Sequence, residues 1–179
     1  HNEFNLLNKL IKLLDHPRND IYIHVDRKSK SFDQTQLTNL EHSTITFIQR
    51  EKVSWGAYSQ INCIIRLLRE AAKTPHDYYH LLSGVDLPLK AQDEIHSFFD
   101  RQSGSEFISY QAGAMTRQSF ISRIRYYHFI QEFIGHKKKP NILYQFNRVL
   151  LKIQEILNVN RIKYSKFDYK KGDTWFSIT

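Results

Sequence analysis

From Phe4 to Leu14 the apolar residues Phe4, Leu7, Leu10, Ile11 and Leu14 recur at three- and four-residue spacing, which predicts an amphipathic helix. Asp15-His16-Pro17 ends it, because proline cannot continue a helix and disfavours one just before itself. Ile21 to Val25 is apolar apart from Tyr22 and His24, the pattern of a strand covered on both faces. Thr44 to Ile48 is a β-branched and aromatic run and reads as a second strand. Helical spacing returns after Val53-Ser54-Trp55-Gly56, with Ala57, Ile61, Ile64, Ile65, Leu68 and Ala72 on one face. Thr74-Pro75-His76-Asp77 breaks that helix, and Tyr78 to Leu82 predicts a third strand. Gln92 to Asp100 predicts a short helix with Ile95, Phe98 and Phe99 inward, and Glu106 to Tyr110 a fourth strand.

This alternation predicts an α/β fold with a mainly parallel sheet. Arg117 to Phe133 then loses any clean period and is dense in Arg and aromatic residues. From Asn141 to Asn160 a long helix is predicted, its apolar stripe carrying Ile142, Phe146, Val149, Leu150, Ile153 and Leu157. Lys163 to Asp173 reads as a basic, aromatic loop before a last strand at Trp175–Thr179. No linker rich in Gly, Ser or Pro divides the 179 residues, so a single domain is expected. The chain starts at His1 without an initiator Met and stops inside strand-like residues, and is read as a fragment cut at both ends.

Composition excludes some classes. No apolar run approaches the roughly 20 residues needed to span a bilayer. Cys63 stands alone, so no internal disulfide forms, and a small buried residue in a reducing compartment is its plainest reading. The histidines give no zinc-ligand pattern with nearby Cys or Glu. The G-x-x-x-x-G-K-[ST], G-x-G-x-x-G and G-x-S-x-G motifs are absent. The net charge of +8 favours anionic partners such as phosphorylated ligands, nucleic acid or anionic lipid. Lys137-Lys138-Lys139 and Lys163, Lys166, Lys170 and Lys171 crowd the last third, where a solvated loop is the blander reading.

Two segments share one design, a strand ending in a turn that holds a carboxylate: Ile23-His24-Val25-Asp26-Arg27-Lys28 and Leu82-Ser83-Gly84-Val85-Asp86-Leu87-Pro88. Ligands of open α/β sheets bind at the carboxyl ends of strands, so Asp26 and Asp86 are candidate ligand-facing acids and point to a nucleotide or sugar-nucleotide site. Asp26 would accept from a ribose or base edge, with Arg27 and Lys28 near phosphate; a turn-forming Asp fits equally. Ser54-Trp55-Gly56 precedes a helix N-terminus whose free N–H groups favour anions, and Trp55 could stack on a ring; a plain cap with a packing Trp is the other reading. No D-x-D pair occurs at a strand end to hold a divalent metal against a diphosphate, which leaves that charge to Lys and Arg.

Taken in order, Ile23-His24-Val25-Asp26-Arg27-Lys28-Ser29, Val53-Ser54-Trp55-Gly56-Ala57-Tyr58-Ser59, Leu82-Ser83-Gly84-Val85-Asp86-Leu87-Pro88-Leu89-Lys90 and Gly172-Asp173-Thr174-Trp175 resemble the core-2/I-branching β-1,6-N-acetylglucosaminyltransferase family, which includes the peptide O-xylosyltransferases. The resemblance implies a three-layer GT-A-like fold and inverting, metal-independent transfer from a UDP-sugar to a glycan or lipid-linked glycan. It implies donor contacts at His1, Asp26, Arg27, Ser54, Trp55, Ser83, Gly84, Val85 and Asp86. Acceptor contacts are implied at Arg123, Arg125, Tyr126 and Trp175. The family's catalytic base, a Glu, is expected beyond Thr179, leaving the catalytic residue unassigned and this fragment inactive alone. Glu94, Glu106 and Glu132 do not match its place. The single cysteine fits a bacterial cytoplasmic relative, peripheral to the inner face of an anionic membrane and active in surface polysaccharide synthesis. No cofactor and no nucleic-acid partner are expected. The alternatives are a basic single-stranded nucleic-acid module built on Arg123, Arg125 and their tyrosines, and a degenerate transferase fold kept as a scaffold.

Overall fold

The computed structural model describes residues 3–110, 120, 121, 123–135 and 142–179. His1, Arg117 and the Lys137-Lys138-Lys139 run lie outside the described residues. The chain divides into two compact units, one of residues 1–53, 62–107 and 175–179, the other of residues 54–61 and 108–174.

In the first unit, helix α1 (Phe4–Leu13) follows the predicted spacing and buries Leu10 and Ile11. The turn after it is fastened by Asp15, whose carboxylate accepts the backbone N–H groups of Glu41, His42 and Ser43 at 2.8 to 3.0 Å. These donors stabilise the charged form and hold the Asp15 carboxyl below the usual carboxylate range. Strand β1 (Asp20–Ile23) pairs in parallel with β2 (Thr44–Phe47), in register from Asp20↔Thr44 to Ile23↔Phe47. Ile11, Ile23 and Val25 form the core there, with Leu7, Ile21, Phe32, Leu37, Leu40, Ile45 and Phe47 packed around them.

Helix α2 (Tyr58–Ala71) is followed by β3 (Tyr79–His80), α3 (Gln92–Arg101) and β4 (Phe107–Tyr110). The expected strand from Tyr78 to Leu82 shortens to two residues because the Ser83–Asp86 turn begins almost at once. The last strand, β5 (Gly172–Ile178), lies between β3 and β4, and its pairing with β3 is antiparallel, Tyr79↔Ile178 and His80↔Ser177. Among the described residues the strands therefore form two sheets, one two-stranded and parallel, the other three-stranded, rather than one mainly parallel sheet. Period and propensity identify strands; which edges meet is decided by packing.

The second unit holds a short helix α4 (Gln131–Ile134) and the long α5 (Ile142–Ile156). A helix striped like α5 ordinarily turns its apolar side to the core. Here Asn147 and Gln154 are its buried residues, and Gln154 exchanges hydrogen bonds with Tyr127, accepting from its N–H at 2.8 Å and donating to its carbonyl at 2.9 Å. Ile142, Phe146, Val149 and Ile153 are exposed.

Replacing Ile11 by Ala should cost about 2–5 kcal/mol in urea unfolding, through lost transfer energy and an unfilled cavity. Ile142→Ala should change stability by no more than about 0.5 kcal/mol, because that side chain is already in water.

Candidate functional site

The end of β1 is built as a rigid carboxylate turn. Val25 is buried, and the Asp26 Oδ1 accepts the N–H of Lys28 at 2.9 Å and that of Val53 at 3.4 Å. The Lys28 ammonium stands 3.4 Å from the other Asp26 oxygen and also donates to the Val53 carbonyl. Arg27 leaves its side chain exposed while its N–H donates to the Glu51 carbonyl at 2.8 Å. Arg50 reaches back across the turn, donating to the carbonyls of Val25 at 3.3 Å, Asp26 at 2.9 Å and Ser29. Arg50 and Glu51 were not singled out from the sequence. The available signal was positional: they follow β2, and parallel neighbours end on the same edge. A groove of about 450 Å³ beside the turn is lined by Phe32, Asp33, Phe47 and Arg50; none of them stands out in the sequence, yet all lie within reach of that edge.

The second carboxylate turn is closed by its own ends. Asp86 donates its N–H to the Ser83 carbonyl at 3.1 Å, and its Oδ2 accepts the Ser83 N–H at 2.6 Å. The Ser83 hydroxyl accepts the N–H of Val85 at 3.4 Å, and a Cβ added at Gly84 would meet Leu7 at ordinary van der Waals distance. The same Asp86 Oδ2 accepts the Trp175 indole N–H at 2.8 Å. Trp175 is 54% exposed, so this bond joins two residues from opposite expected sides of the site, donor and acceptor, at the protein surface.

In the second unit the loop before α2 uses its backbone donors internally. Ser54 N–H donates to Ser59 Oγ at 2.8 Å, Gly56 N–H to Gln60 Oε1 at 2.9 Å, and Ala57 N–H to the Ser54 carbonyl at 3.0 Å. Ser59 N–H donates to Glu132 Oε2 at 3.2 Å. The expectation of free N–H groups awaiting an anion is corrected at these four positions, because acceptors nearby already satisfy them. Gly56 sits at φ +76°, a conformation that most side chains disfavour, and Trp55 beside it is 64% exposed. Arg123 and Tyr126 border one groove with His128, Arg148 and Lys152. Arg125 has a structural task, donating to the Val159 carbonyl at 3.3 Å with its guanidinium over the Tyr126 ring.

The three glutamates set aside from catalysis have other partners. Glu94 pairs with Lys90 at 3.1 Å, Glu106 accepts from the Thr179 hydroxyl at 2.6 Å, and Glu132 holds Ser59. His76 and His80, four residues apart, turn to different partners, Asp20 at 3.0 Å and Ser177 at 2.7 Å. Among the described residues no group of three or more His, Cys, Asp or Glu side chains is placed to hold a metal ion. Burial, with the Asp26 charge adding to it, pushes the Cys63 thiol up to about 11, which keeps it a poor nucleophile. Burial lowers the His24 imidazole, and its Nε2 accepts the Glu51 N–H at 3.1 Å, a role only the neutral ring can fill.

Against known proteins, the family model for the Core-2/I-Branching enzyme matches residues 1–179. A human N-acetyllactosaminide β-1,6-N-acetylglucosaminyl-transferase is 24% identical over 142 residues, 76% of this chain and 34% of its own length. The xylosyltransferase 2 of Rattus norvegicus is 24% identical over 107 residues, 57% of this chain and 12% of its own. The chain thus spans about a third of the human relative and about an eighth of the rat one.

The His24 linkage has a definite sign. Burial depresses its folded pKa, so the unfolded chain takes up the proton first; its contribution is whole above the ordinary 6.5 and is lost as pH falls from there through the folded value. Urea midpoints should therefore drop between pH 7.5 and pH 5.5, and His24→Gln should flatten part of that drop. For the Asp86–Trp175 bond, Trp175→Phe should cost about 1 kcal/mol and Asp86→Ala, which also removes the Ser83 N–H bond, about 2 kcal/mol. The double variant should cost clearly less than their sum, as a shared interaction requires.

Proposed function

The chain belongs to the Core-2/I-Branching enzyme family of glycosyltransferases, and from that premise we propose that it serves inverting transfer of a sugar from a UDP-sugar to a glycan hydroxyl, without a metal ion. N-acetylglucosamine, the sugar in the human relative's name, is the first donor to try. The observation that carries the reading is the Asp26 turn. A half-exposed carboxylate is held by two backbone N–H groups and an ammonium at the carboxyl end of a parallel strand, where α/β folds bind ligands. Asp26 would meet the uridine, and Arg27 and Lys28 lie beside it for phosphate. The Ser83–Asp86 turn would line the donor pocket, with Trp175 toward the acceptor. A GT-A-like layering accompanies this reading.

The chemistry follows from the reaction class. A base takes the proton of the acceptor hydroxyl, that oxygen bonds to the anomeric carbon from the face opposite the nucleotide, and the bond from carbon to the diphosphate oxygen breaks. UDP leaves with the electron pair, and cationic side chains stabilise its growing charge. None of Glu94, Glu106 and Glu132 is assigned as the base. A lipid-linked or surface glycan is the acceptor class proposed.

Calorimetric titration of UDP into the 179-residue chain should show binding that EDTA leaves unchanged. Asp26→Ala should weaken it about tenfold or more, the loss of a hydrogen bond to a charged group. Absence of UDP binding with and without divalent metal would refute the donor site, and binding abolished by EDTA would refute metal independence.

A further inference from the structure

The second unit carries a concentrated positive charge. Residues 54–61 and 108–174 hold 13 of the 26 Lys and Arg residues but 4 of the 18 Asp and Glu, a net +9 that leaves −1 for the rest of the chain. On the same unit α5 is inverted, with Asn147 and Gln154 each 8% exposed while Ile142, Phe146, Val149, Ile153 and Ile156 are 46% to 84% exposed. At about 100° per residue these five side chains fall within an arc of about 80°. Lys152 and then Arg148 lie along one flank of that arc, and the buried Gln154 and Asn147 beyond the other. Arg123, Arg148 and Lys152 also line a groove of about 740 Å³ with Tyr126 and His128. Glu155, paired with Lys152 at 2.8 Å, is the one acid among its lining residues. Beyond the helix, Tyr164 and Phe167 stand exposed beside Lys163 and Lys166.

We propose that α5 is a docking element for an anionic phospholipid surface, with its apolar stripe in the acyl boundary and Arg123, Arg148 and Lys152 against headgroup phosphates. The proposal does not depend on the transferase reading. A solvent-facing apolar stripe flanked by cations, with aromatic residues nearby, is the pattern of a helix lying in the membrane interface. The helix lies on the bilayer and does not cross it: its 15 residues are about 22 Å long, against about 30 Å of hydrocarbon. No helix among the described residues is long and apolar enough to cross a membrane. A second copy would bring one cationic unit against another, which repulsion opposes. A nucleic acid would satisfy the cations but leave the aliphatic stripe in water.

Flotation of the 179-residue chain with phosphatidylcholine vesicles, with and without phosphatidylglycerol, tests this. Binding should be about tenfold stronger with phosphatidylglycerol. The double variant Phe146→Glu/Ile153→Glu, at exposed positions and checked for retained helicity by circular dichroism, should lose about tenfold or more. Arg148→Gln/Lys152→Gln should bind phosphatidylglycerol vesicles severalfold less. The unmodified chain alone decides the lipid preference, so the test survives a variant that fails to fold. Equal binding to both vesicles, or none, would overturn the proposal. So would binding that a folded stripe variant leaves intact, or a concentration-dependent dimer in sedimentation velocity that the stripe variant abolishes while vesicles stay unbound. Tight oligonucleotide binding insensitive to the stripe variant, without vesicle binding, would assign the surface to nucleic acid instead.

Discussion

One carboxylate oxygen holds the second candidate turn together. Asp86 Oδ2 accepts both the Ser83 N–H of its own turn and the indole N–H of Trp175, 89 residues away in sequence. The first bond closes the turn that follows β3; the second fastens that turn to β5, the strand lying beside β3. An apolar residue at position 86 would lose both side-chain bonds at once and leave the turn its backbone bond from the position-86 N–H to the Ser83 carbonyl. The bond to Trp175 also shapes what Asp86 offers a ligand: Oδ2 already accepts two hydrogen bonds, and Oδ1 is the oxygen with accepting capacity left. Through that bond Asp86 fixes the position of the Trp175 indole.

The first carboxylate turn is built differently and depends on a parallel pair. Because β1 and β2 run side by side, the residues that follow them meet at one edge, and the segment after β2 supplies the frame for the turn after β1. Arg50 gathers the carbonyls of Val25, Asp26 and Ser29, and Glu51 receives the Arg27 N–H. Glu51 is itself held by Arg66 and Asn62 from α2. The Asp26 carboxylate is thereby fixed without being buried, the condition a ligand-binding group must meet.

Local pattern carried much of this architecture. The 3.6 period of α1, α2 and α3 and the β-branched runs of β1 and β2 placed those elements within a few residues of their observed ends. The two strand-end aspartates were also visible, because a carboxylate after an apolar run is a local signal. Long-range pairing was not visible. Nothing near Trp175 announces that its indole reaches Asp86, and nothing near Arg50 announces three carbonyl partners. The free N–H groups expected before α2 were filled by Ser59, Gln60 and Glu132, the last of them far along the chain. Inversion of α5 is the sharpest such case. Its periodicity identified the helix correctly, but period alone does not say which face is covered, and Gln154 decides that through Tyr127.

The central claim is that the Asp26 and Asp86 turns serve one nucleotide-sugar donor. Nuclear magnetic resonance of the ¹⁵N-labelled chain during UDP titration tests it most directly. The expected result is saturable shifts of the Lys28 and Val53 amides, which bond Asp26, together with those of Ser83 and the Trp175 indole, which bond Asp86. Shifts confined to α5 and its cationic flank, with these four resonances unmoved at saturation, would contradict it.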